Sequence, residues 1–246
     1  MRDYPNREDK LKHTYNSKRE SINYRKSVIN LEPIEDEQYK QDLSSIMSRG
    51  IELSICQYSL GHEFKAIRET VEQTITYYSR MDDNWSAYPT SVYDLVKLVS
   101  MAILIDVSDK AWEVLVDKWL KSGSHGHLLA KLLSYKEVSL EQGPDVQVNK
   151  LFGPLLTLSN LDDDSEFLEE LKTYSKKWYA RHKSLHWYNS HDSENTLYFG
   201  YWAIEAAAIA KIRGLNLVDT KFGEYFPYGF FDLPEQLSKK KLIKPN

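Results

Sequence analysis

The chain is poor in the residues that punctuate loops and sheets. It has ten glycines and eight prolines in 246 residues, against 41% hydrophobic residues, a balance that favours packed helices over a turn-rich β protein. Its single cysteine, Cys56, excludes an intramolecular disulfide and fits a reducing compartment. Long apolar runs are missing as well. The longest uncharged one, Leu98 to Ile105, has eight residues, where a membrane helix needs about 20. The opening MRDYPNREDK is charged from its second residue, unlike a secretory leader, so a cytoplasmic location with no membrane contact is expected. Familiar catalytic signatures are absent too. There is no P-loop and no G-x-G-x-x-G; Gly123, Ser124 and Gly126 do not form G-x-S-x-G. His62-Glu63 opens like H-E-x-x-H, but Ala66 stands at the second histidine position.

Charge is present but uneven. The formal net charge is −4. Residues 1–31 carry eight Lys/Arg and four Asp/Glu, and the tail from Lys239 carries four lysines and no acid. That leaves 20 basic and 32 acidic residues between 32 and 238, a net of −12. Such a body repels nucleic acid and attracts basic partners; it equally serves as a plain solvated surface.

The helical period recurs along the chain. A polar helix with Leu11, Tyr15, Ile22 and Val28 as anchors is expected over 7–30, broken by Pro33. Tyr39 to Tyr58 carries the next pattern, with Gly61 to stop it. Phe64, Ile67, Val71, Ile75 and Tyr78 step along one helix face, and Met81 to Pro89 reads as a loop. Ser91 and Asp94 have the spacing of a capping pair before Leu95 to Ile105, which is apolar nearly all round and therefore central. Trp112 to Trp119 and Leu128 to Leu133 mark two more helices. Val146 to Leu158 is a helix that Gly153-Pro154 must bend or interrupt. Asp163 and Glu166 have capping-box spacing ahead of the stripe Phe167, Leu171, Tyr174 and Trp178. Tyr198 to Arg213 reads as the last long helix, closed by Gly214. The expectation is an all-α, compact multi-helix bundle. Its N-terminal helical region (1–123) and C-terminal region (124–238) share a continuous core, followed by a Lys-rich tail (239–246).

Few constellations carry chemistry. His182 and His186 are spaced i, i+4, as two imidazoles on one helix face are. With His191 and Glu205 they could hold a tetrahedral metal, the basis of an alternative reading as a metal-dependent helical enzyme. The same histidines, beside Trp187, Tyr188 and Asn189, suit a hydrogen-bonded helix-to-loop transition. Glu205 lies in the apolar run YFGYWAIEAAAIA and needs a partner if buried. It is either a general base with a raised pKa or a structural acid, buried and bonded to a side chain of the 176–192 segment, such as Arg181 or a histidine, or to a tyrosine. Pro144-Asp145 with Glu170-Leu171-Lys172 has the letters of a P-D…E-x-K nuclease pattern, but that chemistry needs strands, and Glu170 and Lys172 belong to a helix. The acidic cluster Asp162, Asp163, Asp164, Glu166, Glu169 and Glu170 reads as a helix cap or as a docking patch. Asp82, Asp83 and Asn84 with Trp85 form a second candidate patch.

The combination KKWYARHKSLHWYNSHD (176–192), YFGYWAIEAAA (198–208) and YFPYGFF (225–231) resembles the C-terminal signature of the PoNi-type immunity proteins, which protect bacteria against secreted polymorphic nuclease toxins. A weaker resemblance covers MRD at the start, QYSLGHE (57–63) and YDLVKLVSMAILIDVSDKAWEVL (93–115). The stretch NLVDTKFGE (216–224) and the lysine tail depart from the family pattern. The resemblance implies a bacterial cytoplasmic protein with no catalytic residues, no metal and no cofactor. Its partner would be a cognate toxin, a basic nuclease and in particular a DNase, neutralised by stoichiometric occlusion. It also implies that Trp178, Tyr179, Trp187, Gly200, Tyr201, Trp202, Glu205, Pro227 and Tyr228 determine the fold. The toxin is then expected on exposed acidic residues outside the motif. A helical adaptor for an unrelated protein is the remaining alternative.

Overall fold

A computed structural model of the chain describes residues 3, 5–29, 37–136, 140–141, 143–144, 149–215, 217 and 220–231. Pro33, the start of the seventh helix at Val146, three residues of Val138 to Pro144 and the tail 239–246 lie outside them. The described residues form nine α-helices and no strand: α1 (Glu8–Ile29), α2 (Glu37–Leu60), α3 (Phe64–Tyr78), α4 (Pro89–Ile105), α5 (Asp109–Lys121), α6 (His127–Leu133), α7 (Asn149–Ser159), α8 (Asp164–Arg181) and α9 (Ile204–Arg213).

The centre is α4. Every residue from Leu95 to Ile105 is buried, including Lys97 and Ser100, so this helix is packed on all sides by apolar partners. It contacts α2, α3, α6 and α9. In α9 the residues Ile204 to Ala210 are all buried, and the alanines let the backbone approach α4 closely. Two long cations cap the C-terminal carbonyls of α4. The Arg68 guanidinium donates to Ile105 O at 2.9 and 3.1 Å. Lys211 Nζ donates to Ile103 O at 2.7 Å and Leu104 O at 3.0 Å. One cation thus comes from α3 and the other from α9, so one helix end joins the N- and C-terminal regions into a continuous core.

The outer helices follow their apolar stripes. In α3, Ile67, Val71, Ile75 and Tyr78 are buried; in α8, Phe167, Leu171, Tyr174 and Trp178 are. Along α1 the buried apolar anchors are Leu11, Ile22 and Ile29, so Ile29 takes the place expected for Val28. Asp163 caps α8, its Oδ1 accepting from Glu166 N at 2.8 Å. Gly61 (φ 82°) and Gly214 (φ 71°) follow the ends of α2 and α9 in the left-handed conformation that glycine adopts at least cost.

Two local expectations are corrected and a third is narrowed. Ser91 and Asp94 do not cap α4: the helix begins at Pro89, with Tyr88 as its N-cap. The fixed φ of a proline starts the helix three residues early, so Ser91 falls inside the first turn and Asp94 instead accepts from Ser48 Oγ at 2.6 Å. Of the two outcomes expected at Gly153-Pro154, interruption does not occur, since α7 runs through Pro154. The last helix starts at Ile204, not Tyr198. Gly200 has φ 105°, which no α-helix accommodates, and Ala203 N is drawn to Tyr225 O at 2.8 Å, so 198–203 passes as an irregular strap.

Candidate functional site

The signature residues converge where α8, the 182–203 strap and the 225–230 segment meet. Glu205, 2% exposed, lies in the first turn of α9. Its Oε1 accepts from Tyr174 Oη at 3.0 Å and from Trp178 Nε1 at 2.5 Å. Burial raises its carboxyl above the usual carboxylate range, against these two hydrogen bonds and the Lys97 charge, which favour ionisation. Arg181 does not pair with it; its guanidinium lies over the Tyr174 ring at 5.3 Å.

Aromatic rings stack outward from this acid. Trp178 stacks on Trp187 at 5.6 Å, and Tyr179 on Tyr188 at 4.4 Å and Tyr225 at 5.0 Å. Each such ring buries a large area and adds a geometric preference of its own. Their polar tips are satisfied. Tyr179 Oη donates to Asn189 Oδ1 at 2.7 Å, and Trp187 Nε1 donates to Tyr93 Oη at 3.1 Å. Trp202 Nε1 donates to Ser59 Oγ at 2.8 Å. Gly200 sits against that same hydroxyl, where an added Cβ would lie 2.0 Å from Ser59 Oγ. Pro227 is buried, and Tyr228, 36% exposed, accepts from Phe222 N at 2.5 Å. The strap is also pinned to α1, whose Lys10 Nζ donates to His191 O at 2.7 Å and Ser193 O at 2.6 Å.

The histidines do not assemble with Glu205. The helix α8 ends at Arg181, so His182 and His186 do not share a helix face. His182 is buried, and its Nδ1 lies 2.7 Å from Trp178 O; since a carbonyl only accepts, Nδ1 carries the proton. Burial lowers its pKa to about 4. His186 is exposed and lies 3.6 Å from Glu52. His191 Nδ1 is 2.9 Å from Tyr201 Oη. Among the described residues no group of three His, Cys, Asp or Glu side chains is placed to hold a metal.

One buried group escaped the reading of the sequence. Lys97 Nζ lies over Tyr93 at 4.3 Å, Trp187 at 5.3 Å and Phe199 at 5.6 Å, a cation held against three ring faces. Burial lowers its pKa, while Asp94, Glu52 and Glu205 act to raise it. The available signal was a lone lysine inside an otherwise apolar run.

Both acidic candidates are on the surface. Asp162, Asp163, Asp164, Glu166, Glu169 and Glu170 are all exposed. Three of them have internal partners: Asp163 caps α8, Asp164 pairs with Arg213 at 2.8 Å, and Glu169 pairs with Lys172 at 2.6 Å. In the other patch, Asp83 pairs with Lys118 at 2.6 Å and Asp82 with Lys40 at 3.4 Å. Trp85 is half-buried and packs edge-on against Tyr78 at 5.9 Å, so it holds the loop to the core. No helix of the described residues is long and apolar enough to cross a membrane.

Residues 2–117 match the family of PoNe immunity proteins (PoNi), N-terminal, and residues 125–230 match PoNe immunity proteins (PoNi), C-terminal. Comparison with curated proteins and with solved structures gives no match. The two family matches run in order along nearly the whole chain and include the ring-packed acid site, and the chain therefore belongs to the PoNe immunity protein (PoNi) family, the immunity proteins against polymorphic nuclease toxins.

Proposed function

We propose that this protein neutralises a DNase toxin by forming a stoichiometric complex that covers its active site or DNA-binding face. It acts without catalysis, metal or cofactor, in the bacterial cytoplasm. A DNase must present Lys and Arg to phosphates, and an acidic inhibitor surface both speeds encounter with such a face and competes with DNA for it. The observation that carries this reading is the state of the α8 cluster. Asp162, Glu166 and Glu170 recur every four residues, all exposed, and the internal pairings described above fall on the other three acids. The Asp82, Asp83 and Trp85 loop is the second docking candidate, with both of its carboxylates already paired to lysines. The division at residues 123/124 marks two helical regions of one binding protein. The signature residues Trp178, Tyr179, Trp187, Gly200, Tyr201, Trp202, Glu205, Pro227 and Tyr228 shape the scaffold, while specificity lies outside them.

The triple substitution Asp162→Lys, Glu166→Lys and Glu170→Lys tests the patch. Association with the cognate toxin is expected to slow about tenfold or more at low salt and to lose part of its salt dependence, with the melting temperature retained. Association at the unaltered rate would leave the cluster a capping and solubility feature.

A further inference from the structure

The N-terminal helices carry a cleft that the acidic-surface reading does not use. The helix α2 packs against both α1 and α3, and the three leave a cleft of about 390 Å³ between them. Its lining on α1 runs from Tyr15 to Lys26 and on α3 from Ala66 to Tyr77, twelve residues each, or about 16 Å between the end residues. Both ends are bridged. At one, the rings of Tyr15 and His62 meet edge to face at 5.0 Å. At the other, Lys26 Nζ donates to Gln73 Oε1 at 3.1 Å and lies over the Tyr77 ring at 5.2 Å. The result is a closed-ended trough of the size that takes a small ligand or a few residues of a partner.

Its electrostatics are opposite to those of the body. The α1 wall presents Arg19 and Lys26, two turns apart. Among the described residues neither pairs with Asp or Glu: Arg19 lies over the Tyr15 ring at 5.9 Å, and Lys26 has only the Gln73 amide and the Tyr77 ring. Partial burial lowers the Lys26 pKa with no carboxylate to offset it. The α3 wall supplies one acid, Glu69, and the floor supplies Gln57, which is 5% exposed and whose amide oxygen has no hydrogen-bond partner. An occupant therefore needs an anionic group for α1 and N–H donors for α3 and the floor. A peptide segment with an acidic side chain offers both, through its carboxylate and its backbone amides.

We propose that the α1–α2–α3 cleft is a docking pocket for a carboxylate-bearing loop of the cognate toxin, with Arg19 and Lys26 as the carboxylate's partners. This rests on the immunity function proposed above. The pocket would fix the register of a complex whose encounter is steered by the acidic α8 patch, because a concave, bridged trough accepts one loop shape where a charged face accepts many.

The test is calorimetric titration of the full chain with the catalytically inactivated cognate toxin. Two variants are compared with the unaltered chain. Arg19→Glu with Lys26→Glu reverses the wall, and Asn23→Trp fills the trough from an exposed α1 position without changing charge. Each is expected to weaken binding about 100-fold or more at an unchanged melting temperature, while Arg19→Lys with Lys26→Arg binds like the unaltered chain. Binding of the Asn23→Trp variant with the unaltered affinity overturns the pocket, whatever the charge reversal does, and it decides the matter if the charge-reversed chain does not fold. Failure of the unaltered chain to bind toxin overturns the immunity reading itself.

Discussion

Replacing Glu205 separates the two things a buried carboxylate does: it accepts hydrogen bonds and it carries charge. Both donors, Tyr174 Oη and Trp178 Nε1, converge on the same oxygen, Oε1. Glu205→Ala removes that oxygen and leaves two buried donors unsatisfied, at about 1–3 kcal/mol each, so the gross cost is about 2–6 kcal/mol. Relief of the desolvated charge offsets part of it, which places the expected loss near 2–4 kcal/mol. Glu205→Gln keeps a carbonyl oxygen for both donors and removes the charge, and its stability near neutral pH is expected to equal or exceed that of the unaltered chain. The pH dependence follows from the raised pKa. Relative to the ordinary value of 4.5, the folded state holds its proton more tightly than the unfolded state. The stabilisation from Glu205 is therefore fully present below about pH 4.5 and is lost as pH rises through the folded pKa. The Gln variant lacks this slope. Urea unfolding of all three chains at pH 5 and pH 7 measures both effects. If Gln costs as much as Ala at pH 7, the charge itself, through Lys97, holds the site together, and the hydrogen-bond argument is wrong.

Other outcomes follow from single contacts. Gly200→Ala should cost at least about 2 kcal/mol in thermal unfolding, because φ 105° is strained for any Cβ and the new methyl meets Ser59 Oγ at 2.0 Å; a loss below half of that would mean the strap shifts freely. Asp163→Ala removes the bond to Glu166 N and should cost about 1 kcal/mol, read as a lower urea midpoint with toxin binding kept. His182 should stay neutral down to about pH 4 in an NMR titration. Its lowered pKa makes its contribution to stability present above the ordinary 6.5 and lost as pH falls towards about 4, opposite in sign to Glu205.

Much of the helical layout is legible because most helices bury one stripe against one neighbour. Phe64 to Tyr78 shows this directly, since its buried residues Ile67, Val71, Ile75 and Tyr78 are the ones its period picks out. Tyr198 to Ala203 misled because alanine and aromatic residues next to a true helix extend its pattern, and only the left-handed backbone of Gly200 breaks it. The i, i+4 spacing of His182 and His186 lost its meaning when α8 ended at Arg181. The partners of Glu205 were legible by class and segment, a tyrosine and a side chain of 176–192, and Tyr174 and Trp178 fill those two places; which side chain of the segment it would be was not. The environment of Lys97 was out of reach, because its rings come from Tyr93 on α4 and from Trp187 and Phe199 in the strap, 90 and 102 residues away. The α1–α2–α3 cleft was hidden for the same reason, since each helix contributes an ordinary amphipathic face.

The central claim is inhibition by occupancy, and the most direct measurement is a titration of the cognate toxin's DNA cleavage with this protein at toxin concentrations well above the dissociation constant. The account predicts a linear fall in activity that reaches zero at a fixed molar ratio, unaffected by chelator added to the immunity protein beforehand. Persistent cleavage at a large molar excess of this protein, or inhibition that builds with time at substoichiometric amounts as a catalyst's would, contradicts it.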